Sequence, residues 1–514
     1  MPNPRVAVAA PGAEPVEAAL AIAAAGGNAV DAAVSAILVA TVTEPGIVSA
    51  MGGAFVNVWE PGGEPVVIDG NVEMPGRGRP PEAFGRGFHE VFIDFYGGLT
   101  VFAGHGSVAT PGMFAALHEA SARHGRLPWR ELVLPAVGYA RDGYPLGASA
   151  ASYLTDASPL FVFDDQTRAF HEQGLGRGPV AGQVMRSPDL ARSMEAIAGG
   201  VDTLYGGELG EVIAADMDAH DGLLTREDLA AYRTATRPAL RTRLGHWDIG
   251  VNPAPSIGGP VLTTMLRLLA ARRLQAGTSH AGDVIDIERL VLGYRRHAID
   301  EAHDLEAAGR ELVDLLERLG PEGLEAVCSS PETIHVSAVD ADGLACSITT
   351  SAGYGSGVTT PGTGLILNNA LGEPELNRRG LHALVPGTRM ASNMAPATAR
   401  REGGAVLAVG SPGADRITTA LFGVLGGVCL DDHPLQTAID QPRVHVAFDD
   451  DGGQRVHYEE SPILERAVAA TGLPSVVHPR LAMFFGGVGA AALHDDGRLD
   501  AAGDPRREAA VGVG

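Results

Sequence analysis

Apolar positions in the first forty residues recur at helical spacing. Residues 14–25 (EPVEAALAIAAA) predict one helix, stopped by Gly26-Gly27. Asn28 and Asp31 open a second helix, which runs to about residue 41. The period then changes to two. Residues 54–60 (AFVNVWE) and 65–69 (PVVID), after the turn at Met51-Gly52-Gly53, predict two short strands. Helical spacing returns over 111–143 and 191–232, where Thr225 ahead of Glu227-Asp228 marks a helix start. Residues 247–259 (WDIGVNPAPSIGG) predict a strand entering a Pro/Gly turn. Beyond Pro331 the runs are strand-like. Residues 333–340 (TIHVSAVD) and 344–351 (LACSITTS) flank Ala341-Asp342-Gly343, and an Asp-Gly between such runs predicts a hairpin. Further strands are predicted over 364–369, 405–411 and 456–460. A helix-rich first half and a strand-dense second half follow, with no repeat of solenoid length and no low-complexity linker between them. They are read as one interlocked α/β body.

Composition narrows the function more than the fold. The 514 residues are 45% hydrophobic, enough for a large core. There is no lysine, so all 38 basic residues are arginine, which excludes Schiff-base chemistry and a Walker-type phosphate loop. A net charge of −24 repels polyanions and argues against a nucleic-acid partner. Cys328, Cys346 and Cys429 lie far apart, with neither metal-ligand spacing nor an even count, and are read as small buried hydrophobes. The 17 histidines form no His-Glu-x-x-His pair, so no metal is expected, and isolated ones such as His105 and His445 are read as structural or surface residues. The Ala-rich stretch 16–42 is amphipathic and broken by Gly26, Gly27, Asn28 and Asp31, so it is not a membrane span. The first twenty residues carry one arginine and no continuous apolar run, unlike a secretory signal. A cytoplasmic protein is expected unless a misassigned start has removed a signal.

The chemistry concentrates at Thr333. It begins a strand, with His335 and Ser337 on the same face. A threonine hydroxyl is a weak nucleophile until a base takes its proton. A cut just before Thr333 would create that base, because an α-amino group has a pKa near ~7.7–8. From the hairpin alone, an ordinary strand threonine is the better reading.

The surrounding segments change that balance. TIHVSAVDADG resembles the start of the small subunit in γ-glutamyltransferases, where the first threonine is the nucleophile; Ala338 replaces a valine of that pattern. YGSGVTTPGTGLILNN (354–369), RMASNMAP (389–396) and GSPGADRI (410–417) resemble three further blocks of the family, in order. GGNAVDAAV (26–34) matches an N-terminal signature almost letter for letter, and GLLTREDLAAYR (222–233) and PAPSIGG (253–259) resemble large-subunit blocks. The resemblance covers nearly the whole chain. It implies an N-terminal nucleophile hydrolase with a four-layer αββα sandwich, made as a proenzyme that cuts itself before Thr333. The fragments 1–332 and 333–514 would stay together in one body. It also implies that Ser351 supports Thr333 from the place of a family threonine, and that the N–H groups of Gly413 and Ala414 form an oxyanion hole, with His335 and Ser337 as structural neighbours. No cofactor is implied. The partners are a small γ-glutamyl or other acyl amide and a water or amine acceptor.

The departures fall on substrate recognition. The family holds the substrate α-carboxylate with an arginine just after a strand ending in Asp; in VVIDGNVEMP that position is Asn71. Arg77 and Arg79 are the candidates to supply the lost guanidinium, with loop surface residues as the alternative. An amine-binding Asn of the family falls at Gly353 or in a short deletion, Ala370 follows Leu-Asn-Asn, and Glu373 stands for a later acid. Ser392 keeps the first serine of the paired-serine block while Asn393 replaces the second, and Ala414 stands where a second glycine is usual. Residues 301–332, before the cut, form a shorter region than in typical relatives. The leading reading is therefore an amidohydrolase or acyltransferase acting through acyl-Thr333 on a γ-glutamyl or related group. The alternatives are a member rewired for another acyl amide and an unprocessed homologue that only binds.

Overall fold

The computed structural model describes residues 5–93, 98–276, 281–300, 302–319, 333–449 and 452–514. Two antiparallel sheets organise a mixed α/β fold. The larger has seven strands in the spatial order Ala509–Val513, Val6–Pro11, Ile334–Asp340, Ala345–Ser351, Gly53–Trp59, Val66–Gly70, Ala235–Pro238. The second has six, in the order Leu499–Gly503, Gly489–Leu493, Val406–Gly410, Ala397–Arg401, Trp247–Val251, Leu240–Leu244. Strands from before and after residue 333 are neighbours in both, so neither part of the chain completes a sheet alone. Small residues lie between the sheets: Ala7, Ala345, Ala408 and Ala491 pack there with Val339, Val406 and Trp59. Buried Asn57 is a polar tie across this layer. Its Nδ2 donates to the carbonyls of Gly250 and Pro396, and its Oδ1 accepts from Thr398. A buried amide satisfied at both ends fixes how the sheets sit.

Two larger cores cover the outer faces. Helices Ala13–Ala24, Ala29–Thr43, Met113–His124 and Trp129–Asp142 share one with the seven-stranded sheet. Helices Gly258–Ala276, Ala281–Tyr294 and Arg416–Leu430 share the other with the six-stranded sheet. The predicted start at Asn28 is a full capping box: its side chain accepts from Val30 and Asp31 N–H, and Asp31 accepts from the Asn28 N–H. That helix is buried on every side, so its stability comes from packing rather than from a polar face. Its first residue also donates to Asp340, at 3.2 Å from the Ala29 N–H. Asp340 Oδ1 accepts from Asp342 and Leu344 across the hairpin turn, so the N-terminal helix and the Thr333 hairpin are held by one carboxylate.

The predicted helices over 111–143 are present, and 191–232 contains four: Pro188–Gly199, Asp202–Tyr205, Glu208–Ala219 and Arg226–Ala231, the last capped by Thr225. The expected strand over 364–369 is not formed. Asn368 takes the place of a ladder there: its Nδ2 donates to the carbonyls of Met51 and Ala109, and its Oδ1 accepts from Ala109 and Ala370 N–H. Leu365 and Leu367 of that run are buried, and isolated bridges join Ile366 to Thr359 and Leu367 to Met51 instead. The part of the chain before residue 333 supplies six strands of the two sheets, among them the expected ones at Gly53–Trp59, Val66–Gly70 and Trp247–Val251. Cys346 and Cys429 are buried and free, while Cys328 lies outside the described residues. No described helix is long and apolar enough to cross a membrane.

Candidate active site

Thr333 stands at the mouth of its strand, only 3% exposed. The hairpin register pairs Ile334 with Thr350, so one step further sets Thr333 opposite Ser351. Ser351 in turn pairs with Gly53 on its other side. The next polar residue inward, His335, is fixed at both ring nitrogens. Nδ1 lies 2.9 Å from Thr349 Oγ1 and Nε2 2.7 Å from Ser337 Oγ, which donates to the Gly489 carbonyl at 3.1 Å. Burial pushes His335 down to about 3, so the ring is neutral at working pH. The ring lies so close to the second sheet that a Cβ on Gly410 would stand 2.3 Å from it. His335 thus positions the strand of Thr333 against the loop that begins at Gly410.

That loop is Ser411-Pro412-Gly413-Ala414-Asp415. Pro412 lines the same small pocket, about 30 Å³, as Thr333. The carbonyls of Gly413 and Ala414 accept from Arg416 and Ile417 N–H as the following helix starts. Gly413 has φ 119°, and Ala414 has φ 63°, a left-handed conformation that costs an L-residue about 1–2 kcal/mol. Behind it Asp415 bonds to Arg416 at 2.6 Å and to His445 Nε2 at 3.1 Å. Burial alone would raise the Asp415 carboxyl, but Arg416 and His445 outweigh it and hold it well below the usual carboxylate range. His445, expected to be structural or surface, is a buried support of this loop.

The residues expected to meet the substrate are held by neighbours in the fold. Asn71 is buried: its Nδ2 donates to the Met390 carbonyl at 2.8 Å, and its own carbonyl accepts from Tyr232 at 2.7 Å. A Cβ on Gly53 would stand 2.8 Å from Asn71 Oδ1, so Asn71, Gly53 and Ser351 are contiguous. Gly353 donates its N–H to Ser351 Oγ at 3.3 Å, and a Cβ there would meet Asn369 Oδ1 at 2.1 Å and Glu373 Oε1 at 2.9 Å. Glu373 is thereby brought beside Gly353, two residues from Ser351. Ser392 and Asn393 rest on the 253–259 turn, where Ile257 and Gly258 N–H donate to the Ser392 carbonyl. Arg77 is held by Asp228 at 3.2 Å and Glu73 at 3.4 Å, and Arg79 is paired with Asp218. Each therefore has a carboxylate of the protein on its guanidinium.

Two charged residues of the Thr333 pocket escaped the sequence reading. Glu44 is 8% exposed and lines the pocket with Arg507 and Ser149. Burial, then Glu14 and Glu508, push its carboxyl up to about 8, so it is mainly neutral at pH 7. The signal available was a lone acid ending an otherwise apolar helical run. Arg507 carries no local signal, because it lies 174 residues along the chain from Thr333, with which it lines the pocket. Arg389 was also missed; it binds Glu73 at 2.7 Å and Asp69 at 3.4 Å, and covers the Tyr232 ring.

The chain is similar to known proteins over most of its length. Residues 16–514 match the family model described as Gamma-glutamyltranspeptidase. A glutathione hydrolase proenzyme of Pseudomonas aeruginosa is 31% identical over 473 residues, covering 85% of this chain and 82% of that protein. The Acylase ACY 1 proenzyme of Pseudomonas sp. is 31% identical over 499 residues, covering 92% and 87%. The crystal structure of a cephalosporin acylase from Bacillus halodurans superposes with a TM-score of 0.80 at 23% identity, over 99% of this chain and 96% of that one, a likeness of fold alone. This chain belongs to the gamma-glutamyltranspeptidase family.

Proposed function

We propose that the chain is a self-processing amidohydrolase or acyltransferase that cuts itself between Glu332 and Thr333 and then works through acyl-Thr333. The observation that carries this reading is the position of Thr333, buried at a strand mouth opposite Ser351 and sharing a pocket with Pro412 of the Gly413-Ala414 loop. Glu332 lies outside the described residues. In this reading the two sheets and the helices outside them form the four-layer αββα sandwich of N-terminal nucleophile hydrolases. The fragments 1–332 and 333–514 remain one body, because separating them would expose both sheets at their centres.

The chemistry runs as follows. The freed α-amine of Thr333 takes the hydroxyl proton as Oγ1 attacks the amide carbon of the substrate. The N–H groups of Gly413 and Ala414 receive the oxyanion, and alanine serves here because only its N–H is used. The C–N bond then breaks, the leaving amine takes the proton, and an ester to Thr333 remains. Water or an acceptor amine attacks that ester and restores the hydroxyl. Ser351, opposite, orients the Thr333 hydroxyl or amine. Asn71, Arg77, Glu373, Ser392 and Asn393 are the candidate substrate contacts, with Arg77 weakened by its ion pairs to Asp228 and Glu73.

The acyl group is γ-glutamyl or related, and the relatives named as glutathione hydrolase and as acylase bracket the choice. Asn71 in place of a carboxylate-binding arginine, with Arg77 and Arg79 both paired, favours an acyl group without the glutamyl α-carboxylate. The test is to quench matured protein with acid during turnover of a panel of γ-glutamyl and simple acyl amides, and to map the added acyl mass. An ester on the peptide that begins with Thr333 supports the mechanism. Turnover with the acyl mass on another residue refutes it.

A further inference from the structure

Away from the Thr333 pocket, the turn His105–Ser107 meets the end of the helix Glu208–Ala219. Asp216 and His220 are one helical turn apart there and face His105 from the other element. His105 Nε2 stands 3.5 Å from Asp216 Oδ2, and His220 Nδ1 3.3 Å from Asp216 Oδ1. One ligand atom from each of the three residues lies within 4.8 Å of the other two. The imidazoles stack at 4.4 Å between centroids. His105 Nε2 and Asp216 Oδ2 are both buried and make no hydrogen bond. Buried polar atoms in folded proteins nearly always have partners, so two orphans aimed at each other call for an occupant.

We propose that His105, Asp216 and His220 bind a divalent transition-metal ion that fastens the helix Glu208–Ala219 to the turn at His105–Ser107. Two imidazoles and a carboxylate are the donor set that suits zinc and its neighbours. Donors about 2.0–2.2 Å from one tetrahedral ion stand about 3.4 Å apart, close to the 3.5 Å between His105 Nε2 and Asp216 Oδ2. The ion takes the orphaned Nε2 and Oδ2 as ligands. His220 is more than half exposed at its side chain, so it can turn from its 2.9 Å contact with the Asp216 carbonyl, and water completes the shell. The role is structural. The turn it anchors backs the segment of Glu373: a Cβ on Gly372 would touch Ser107 Cβ at 3.1 Å, and Ala109 N–H donates to Asn368. None of the three residues takes part in the acyl-transfer steps, so the inference stands apart from them.

The test uses the full-length, tag-free protein, stripped with a chelator and titrated with Zn²⁺ alone by calorimetry. Cobalt absorption and thermal unfolding serve as second readouts. The expected result is one saturable site per chain and a melting temperature that rises with Zn²⁺. Removing even an outer-shell partner of a metal costs about 10–100-fold in affinity, so His105→Ala and His220→Ala should each weaken binding at least about 10-fold. His457→Ala should leave it unchanged; it removes one member of the other close histidine pair, His457 with His478 at 3.0 Å. His220 is exposed enough that its variant will fold even if that of His105 does not. No saturable binding in the wild type, or wild-type affinity in folded His220→Ala, overturns the proposal.

Discussion

The two sides of the site are built differently. Around Thr333 the parts are set by backbone: strand register opposite Ser351, a glycine that admits the His335 ring, and a loop with two successive positive φ values. Around Asn71 the parts are side chains, each held by other side chains or carbonyls, as with Asn71 on Met390 and Arg77 on Asp228. Backbone geometry tolerates little substitution, whereas a side-chain contact can be exchanged if its partners are exchanged with it. In the proposed reading, the reacting side keeps Thr333 and the loop at Gly413, while more of the expected substrate contacts differ from the family pattern. Substitutions on the two sides should therefore differ in kind.

The largest effect belongs to Thr333→Ala. It removes the hydroxyl needed both for the cut and for turnover, so fragments and activity should vanish together, whereas Thr333→Ser should keep some of each. A maturing, active alanine variant would assign the reaction to another nucleophile. Next comes Gly410→Ala. Its Cβ would stand 2.3 Å from the His335 ring, which is fixed at both nitrogens, and the overpacking should cost about 1–3 kcal/mol in denaturant unfolding. Unchanged stability would mean that the two sheets separate more easily here than their contacts imply.

On the recognition side the effects should appear in specificity rather than in maturation. A charge-assisted hydrogen bond is worth about 1.5–3 kcal/mol, so Asn71→Arg should raise kcat/KM for a γ-glutamyl anilide about 10–100-fold if it reaches the substrate carboxylate. Arg77→Ala with Arg79→Ala should change it little, because both guanidinium groups are already paired. Collapse of activity in that double variant alone would show that the clamp has moved to them.

Glu44 separates the regions by pH. Its folded carboxyl lies near 8 against 4.5 for the free group, so folding takes up a proton. Its stabilising contribution is full below about 4.5 and is lost as pH rises towards 8. Glu44→Gln, compared in an uncut Thr333→Ala background, should gain relative stability over that window and be nearly neutral at pH 4. A flat difference between pH 4 and 8 would place the Glu44 carboxyl in an ordinary environment. The smallest effect is expected for Ala414→Gly. It relieves φ 63° at the cost of glycine's extra unfolded-state freedom, for a net gain of about 0.5–1 kcal/mol and activity within a few-fold. A large loss of activity would mean that the alanine methyl contacts the acyl group.

Much of this was legible because it is local. The capping box at Asn28 and Asp31, the hairpin at Asp342-Gly343 and the helix start at Thr225 each declare themselves within four residues, and each forms as read. The run 364–369 misled because two asparagines look neutral in a strand pattern, yet Asn368 uses its amide to replace the ladder. Which partners the arginines take could not be read. Whether Arg77 is free for a substrate depends on Asp228, 151 residues away, and that is settled only by packing. The same holds for Arg507 in the Thr333 pocket and for His105 opposite Asp216, whose chemistry arises from approach in space.

The central claim is that the nucleophile is made by cutting the chain. Intact-mass measurement and N-terminal sequencing of freshly purified protein from a heterologous host test it most directly. The account predicts two co-purifying fragments, one of them with Thr333 as its first residue. A single uncut chain that turns over an acyl amide would contradict it.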